Sequence, residues 1–307
     1  MEPDELKLEP VKFLPDTLTT PWGKIDYCLA DLGFVDSLAA DGMLGGNTIE
    51  DLMQTYLERI SGENVFEAYG TQFPVMVKRL YVKGRSSLHV NPNDEDAAQR
   101  YDSLGKTALW YVLEADKDSR LYLGFRRDVE PAEFYEKCQD GTVDSLLKEV
   151  KPYAGQAFLI PPGIVHAAKG VTLLEISEAS EMWFRLYDWD ASDRSIHLEE
   201  GFDLIDFHAT DSLETNFPVT SPQLNVRRIS LTDAAGVESP NGDSFRLYTC
   251  LKGSLQAGNS KISEGGVILV PADVLSWQLV PGEDGAELLE VSMDVKPQED
   301  EQWTAAE

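Results

Sequence analysis

The residues best suited to chemistry in this 307-residue chain are two histidines and an asparagine. His89 and Asn91 stand one residue apart in SSLHVNPND, and His166 closes the run GQAFLIPPGIVH. Side chains alternate faces along a strand, so His89 and Asn91 share a face if their run is extended. Imidazole nitrogens joined by an amide oxygen could ligate a metal ion. Each residue also has a plainer reading: a lone histidine in a β protein often only hydrogen-bonds, and Asn91 before Pro92 suits a turn. His197 and His208 have no partner at ligand spacing and read as structural. Cys28, Cys138 and Cys250 are scattered, outside any metal-ligand spacing, and suit reduced thiols rather than a disulfide framework.

The elements that must position these groups are strands. GQAFLIPPGIVH at 155–166 is repeated without a gap as GGVILVPADVLS at 265–276. Each copy is followed by an apolar strand signal, LLEIS at 173–177 and LLEVS at 288–292, and preceded by a β-rich run, ALWYVLEA at 108–115 and FRLYTCLKG at 245–253. Three matches in the same order point to internal duplication of a β unit. Proline cannot donate to a sheet ladder, so Pro161 and Pro271 should close their strands or lie on edges. Short strands divided by Gly, Pro and Asp turns read as a barrel or a sandwich, and this is how a cupin, a double-stranded β-helix, reads. Ser276 replaces histidine in the second copy, so only the first has an imidazole where the duplicated frame would aim it inward.

Helical signals are confined to inserts in this mainly β pattern. Asn47 and Thr48 precede the amphipathic IEDLMQTYLERI, another helix is expected near Asn93 and Asp94, and AEFYEKCQ and TVDSLLKEV show helical spacing. The stretch 196–205 reads as helical too. The expected organisation is a cupin domain with helical inserts over 1–210, a polar connection over 211–223, a smaller cupin-like β module over 224–297 and a loose tail over 298–307.

Composition bounds the function classes. With 42% hydrophobic residues the chain can bury one large core or two moderate ones. The N-terminal MEPDELKLEP has no apolar h-region, and no apolar run approaches the roughly 20 residues that span a bilayer. A cytoplasmic location, away from membranes, is the expectation. A net charge of −28, from 54 acidic against 26 basic residues, repels polyphosphate backbones and argues against nucleic acid. An anionic small substrate would need a locally basic pocket. The densest cationic stretch, Lys78, Arg79, Lys83 and Arg85, could supply one or could simply guard a strand edge.

PWG at 21–23, FPVMVKRLYVKGRSSLHVNPND at 73–94, GKTALWYVL at 105–113, IPPGIVHA at 160–167 and FRLYDWD at 184–190 together resemble the type I mannose-6-phosphate isomerases of the short bacterial form. The resemblance covers most of the chain, weakening through the second module. It implies aldose–ketose isomerisation, mannose 6-phosphate to fructose 6-phosphate, at a zinc site. It also implies catalytic roles for Arg185 and Lys106, and substrate or phosphate contact for Ser87, Lys106 and Arg185. By itself Arg185 would read as a salt-bridge partner of Asp188, Asp190 or another acid, and Glu175 most simply as a cross-strand polar residue, with a place at the site as its other reading.

The departures from the family pattern fall on the metal ligands. A Gln-x-His pair is replaced by His89 and Asn91, and a glutamate after Gly-Lys-Thr is replaced by Ala108. Only His166 stands where the family has the same residue. Zinc takes imidazole readily and a neutral amide oxygen weakly, and the lost carboxylate would have offset the ion's charge. Zn2+ held by His89, His166 and, weakly, Asn91 is therefore one expectation. The alternative is a non-catalytic sugar-phosphate-binding or regulatory cupin. Neither the proton-transfer base nor the oligomeric state can be read from the sequence.

Overall fold

The computed structural model describes residues 6–189 and 195–296. Asp190 and the tail expected over 298–307 lie outside the described residues. Among the described residues, strands assemble into a 10-stranded and a 9-stranded antiparallel sheet. In the first, the strand Ala108–Phe125 pairs with both Ala157–Ile160 and His166–Glu178. In the second, Arg246–Ala257 pairs in the same way with Val267–Val270 and Ser276–Ser292. The repeated sequence segments thus occupy corresponding places in the two sheets. Both short strands stop one residue before Pro161 or Pro271, which has no N–H to give the ladder. The N-terminal strand Val11–Leu14 pairs with Val267–Val270, so the chain's beginning is sewn into the second sheet.

Alternation along each strand divides its residues between two cores. Val75, Val77, Leu109, Leu174 and Ile176 face outward from the first sheet and pack with Leu247, Leu269, Leu289 and Val291 of the second. Each fully buried aliphatic side chain there stabilises by about 1.5–3 kcal/mol. The intervening residues Leu80, Val82, Trp110, Val112 and Leu173 form a separate interior for the first sheet. The second sheet has its own interior of Tyr248, Cys250, Ile268, Val270, Trp277 and Leu288. That interior is packed with apolar side chains, whereas the first contains polar and charged groups.

The helices sit largely where their caps place them. Thr48 accepts from the Asp51 N–H at 3.0 Å while Asp51 accepts from the Thr48 N–H at 2.9 Å, starting Ile49–Tyr56. Asn93 caps Asp94–Tyr101 in the same manner, accepting from Asp96 N–H. Pro131–Gln139 and the short Leu198–Phe202 fall within their expected runs. IEDLMQTYLERI is not one helix, because Leu57 at φ 52° breaks it into Ile49–Tyr56 and Glu58–Ser61. TVDSLLKEV is mostly not helical. It makes one 3-10 turn, Val143–Ser145, and then a strand, Leu147–Val150, because pairing with Ala108–Phe125 satisfies its backbone and overrides local spacing. No helix among the described residues is long and apolar enough to cross a membrane.

Candidate active site

The polar interior of the first sheet opens into a cavity of about 320 Å³. Strand register builds it. His89, on the short strand Leu88–Val90, is the cross-strand partner of His166 on one side and of Arg185 on the other. The two imidazoles lie 4.0 Å apart, centroid to centroid, at 60°. His89 Nδ1 lies 3.1 Å from the Ser87 carbonyl and His166 Nδ1 lies 2.7 Å from the Ile164 carbonyl. A carbonyl only accepts, so each Nδ1 carries the hydrogen and each Nε2 keeps its lone pair. Burial pushes the His166 pKa down to about 4 and holds that of His89 well below the ordinary range, with His166 adding to the effect. Both rings are neutral at pH 7.

A charged cluster lies beside the histidines. Glu175 is the register partner of Lys78 and of Trp110. Its carboxylate takes the Lys78 ammonium at 2.9 Å and the Trp110 indole N–H at 2.7 Å. Glu181 binds the same ammonium at 2.8 Å. Lys106 completes the cluster at longer range, 3.5 Å from Glu175 and 3.8 Å from Glu181. Burial opposes charge on Lys78, but Glu175 and Glu181 outweigh it and raise its pKa. Burial and the neighbouring Lys78 lower that of Lys106. Glu175 stays ionised in spite of burial because Lys78, Lys106 and Trp110 hold it below the ordinary carboxylate range.

Lys106 is fixed through its backbone. Its N–H donates to the Pro92 carbonyl at 3.0 Å, and its own carbonyl accepts from Asn91 Nδ2 at 3.4 Å. The preceding Gly105 runs so close to the helix entry that a Cβ would lie 2.5 Å from backbone atoms of Asn93 and Asp94. On the other flank, Gly163, at φ +84°, turns the chain after Pro161 and Pro162 and donates its N–H to the Asn91 carbonyl. The turn carrying His166 is thereby tied to the strand end carrying Asn91.

All six residues singled out in the sequence, Ser87, His89, Asn91, Lys106, His166 and Arg185, line this one cavity. Arg185 lies over the Trp183 ring, with Cζ 4.9 Å from its centroid, and its Nε approaches Ser87 Oγ at 3.4 Å and Asp188 at 3.8 Å. His197 serves that strand, donating its N–H to the Arg185 carbonyl, and His208 pairs with Asp206 outside the cavity. Sequence reasoning missed Glu181 and the aromatic wall of Trp22, Tyr27, Trp110 and Trp183, and named Lys78 only within a cationic stretch that could supply a basic pocket or guard a strand edge. Lys78 had a signal: in VMVKRLYV it shares the inward face with Leu80 and Val82. Arg79 and Arg85 point elsewhere, pairing with Glu264 and Asp144.

The donor set does not fit a zinc ion. Two neutral imidazoles and the Asn91 amide oxygen, which has no hydrogen-bond partner, are the available ligands. The nearby carboxylates, Glu175 and Glu181, are already matched by Lys78 and Lys106. A divalent cation there would add charge beside two ammonium groups without an anion to offset it. Among the described residues no group of three or more His, Cys, Asp or Glu converges.

No protein-family model matches the chain. It is 30% identical over 223 residues to mannose-6-phosphate isomerase ManA of Bacillus subtilis, covering 64% of this chain and 68% of that protein. It is 26% identical over 262 residues to the mannose-6-phosphate isomerase of Streptococcus mutans, covering 79% and 80%. Among solved structures, the mannose 6-phosphate isomerase from Bacillus subtilis matches with a TM-score of 0.80 at 20% identity, covering 94% of this chain and all of that one. A variant of phosphomannose isomerase from Salmonella typhimurium matches with a TM-score of 0.74 at 13% identity, covering 92% and 99%. These structural likenesses carry the mainly β cupin fold expected from the strand pattern.

Proposed function

The chain belongs to the mannose-6-phosphate isomerase family, and from that premise we propose that it interconverts mannose 6-phosphate and fructose 6-phosphate, or a related pair of sugar phosphates, through an enediol. One observation carries the reading. Inside a protein of net charge −28, the lining of one aromatic-walled cavity carries three cations, Lys78, Lys106 and Arg185, against two carboxylates, Glu175 and Glu181, which leaves the lining locally positive. Such a place concentrates an anion that the rest of the molecule repels.

Arg185 is the most exposed of the three cations, 16% against 5% for each lysine side chain. It suits the phosphate, which a planar guanidinium grips in two places. The sugar carbon chain would then extend along the aromatic wall toward Lys106 and the histidines. The buried Thr20 hydroxyl and the Asn91 amide oxygen, both lining the cavity without partners, would meet sugar hydroxyls there. We place the protein in the cytoplasm, acting on a small metabolite. The repeated strand pairing supports a smaller cupin-like module over 224–297 beside a larger domain over 1–210, with 211–223 connecting them and Val11–Leu14 of the larger domain added to the sheet of the smaller one.

The test is a coupled assay for fructose 6-phosphate formed from mannose 6-phosphate by the purified protein, with and without added zinc. Turnover in either condition supports the reading. Saturable sugar-phosphate binding with no turnover in both would favour instead a binding or regulatory cupin, the reading that Asn91 and Ala108 recommend.

A further inference from the structure

We propose that this site transfers its proton without a divalent metal, with the Lys106 ammonium touching the substrate oxygen that becomes negative. The inference rests on the isomerase reading above and departs from the zinc-dependent site that the resemblance implied. Its basis is the division of labour between the two lysines. Lys78 takes the short contacts to Glu175 and Glu181, at 2.9 and 2.8 Å, whereas Lys106 stands 3.5 and 3.8 Å from the same carboxylates. Those two acids therefore leave N–H donor capacity on the Lys106 ammonium, which lines the cavity beside His89 and His166. Its backbone is pinned to Pro92 and Asn91, and its buried side chain is held between Glu175 and Glu181, so the ammonium has a place in the cavity before a ligand arrives. A preorganised donor in a site sheltered from water is the arrangement that stabilises a developing oxyanion most.

The step balances with groups already present. The His89 Nε2 lone pair takes the proton from C2 of the open-chain aldose, and the C–H electron pair becomes the C1–C2 double bond. The carbonyl π electrons move onto O1, held by a Lys106 N–H. The proton on O2 then passes to O1, O2 forms the carbonyl at C2, and the imidazolium returns its proton to C1. C1 is reduced as C2 is oxidised within the one substrate, so no external oxidant, reductant or co-reactant is needed. His89 is chosen over His166 because it is the more exposed of the two and is flanked by both Arg185 and His166.

The experiment compares chelator-treated protein, its metal content measured, with zinc-supplemented protein in the coupled assay on mannose 6-phosphate. Zinc is also titrated calorimetrically into the chelated protein. The expected result is turnover in the metal-free preparation that added zinc does not raise, and no stoichiometric zinc binding. Lys106→Met should then lower kcat by roughly 10²- to 10³-fold with little change in KM, and Lys106→Arg should recover part of the loss. Turnover that vanishes on chelation and returns with zinc overturns the proposal and leaves the isomerase reading standing. A folded Lys106→Met protein with wild-type kcat overturns it as well. Absence of turnover from every preparation removes the isomerase reading and this inference together.

Discussion

Lys78 and Glu175 are register partners on adjacent antiparallel strands, with Nζ 2.9 Å from Oε1 and both side chains nearly buried. Removing one member of such a pair strands the other's charge in the interior, at a cost of about 3–5 kcal/mol. Lys78→Met and Glu175→Gln should each destabilise by about that amount, and the double variant by clearly less than the sum. Denaturant unfolding of the four proteins completes the cycle. Strictly additive costs would show that the contact holds little energy.

Arg185 contacts Ser87, Asp188 and the Trp183 face, but the proposed function asks it to hold phosphate. Arg185→Ala should weaken binding of mannose 6-phosphate roughly 10- to 100-fold, the range expected for charge-assisted hydrogen bonds of about 1.5–3 kcal/mol. Tryptophan fluorescence can follow the titration, because Trp22, Trp110 and Trp183 line the cavity. Unchanged affinity in the folded variant would assign Arg185 to a structural role.

Glu178 is a buried carboxyl outside the cavity. It accepts the Thr107 N–H at 2.6 Å, and its Oε1 has no partner. Burial, against the pull of Thr107, raises its pKa from 4.5 to about 7. The folded protein holds this proton more tightly than the unfolded chain. The resulting stabilisation is full below about pH 4.5 and is lost as pH rises through about 7. His166 acts in the opposite sense, its contribution falling as pH drops from 6.5 toward about 4. Glu178→Gln should remove the first effect and leave the second. Its stability relative to wild type should rise between pH 5 and 8 by on the order of 2 kcal/mol. A difference independent of pH would mean that Glu178 is already ionised in the folded protein.

The departures at Asn91 and Ala108 can be reversed. Ala108 lies two residues before Trp110 on the same strand, so both point to the cavity side of the sheet. Asn91→His with Ala108→Glu would add a third imidazole and an uncommitted carboxylate beside His89 and His166. Zinc affinity should rise well above that of the parent. Activity need not follow, because outer partners that orient metal ligands contribute about 10- to 100-fold on their own. Zinc affinity no higher than the parent's, in a folded double variant, would show that the four positions do not converge.

The barrel was legible in the sequence because its signal is periodic. The glycine, apolar run, proline and turn of residues 155–166 recur at 265–276, and both short strands stop at the proline. The histidine pair was legible for a related reason, since a two-residue strand period places side chains on a face. What escaped was the cluster around Glu175. Lys78, Lys106, Glu175 and Glu181 meet through contacts up to 103 residues apart in sequence, so Lys106 was placed at the site only by the resemblance, and nothing local joined it to Lys78, Glu175 and Glu181. The strand Leu147–Val150 escaped because its apolar spacing fits a helix equally well, and only its tertiary partner Ala108–Phe125 decides the matter.

On the proposed reading, the Lys106–His89 side of the cavity isomerises a sugar phosphate. Proton NMR of mannose 6-phosphate incubated with the purified protein and, separately, with Lys106→Met tests it most directly. Fructose 6-phosphate signals should grow in proportion to wild-type protein and fall about 100-fold or more in the variant. A spectrum that stays unchanged while the wild-type protein is folded and saturated with mannose 6-phosphate, with or without zinc, would contradict that reading.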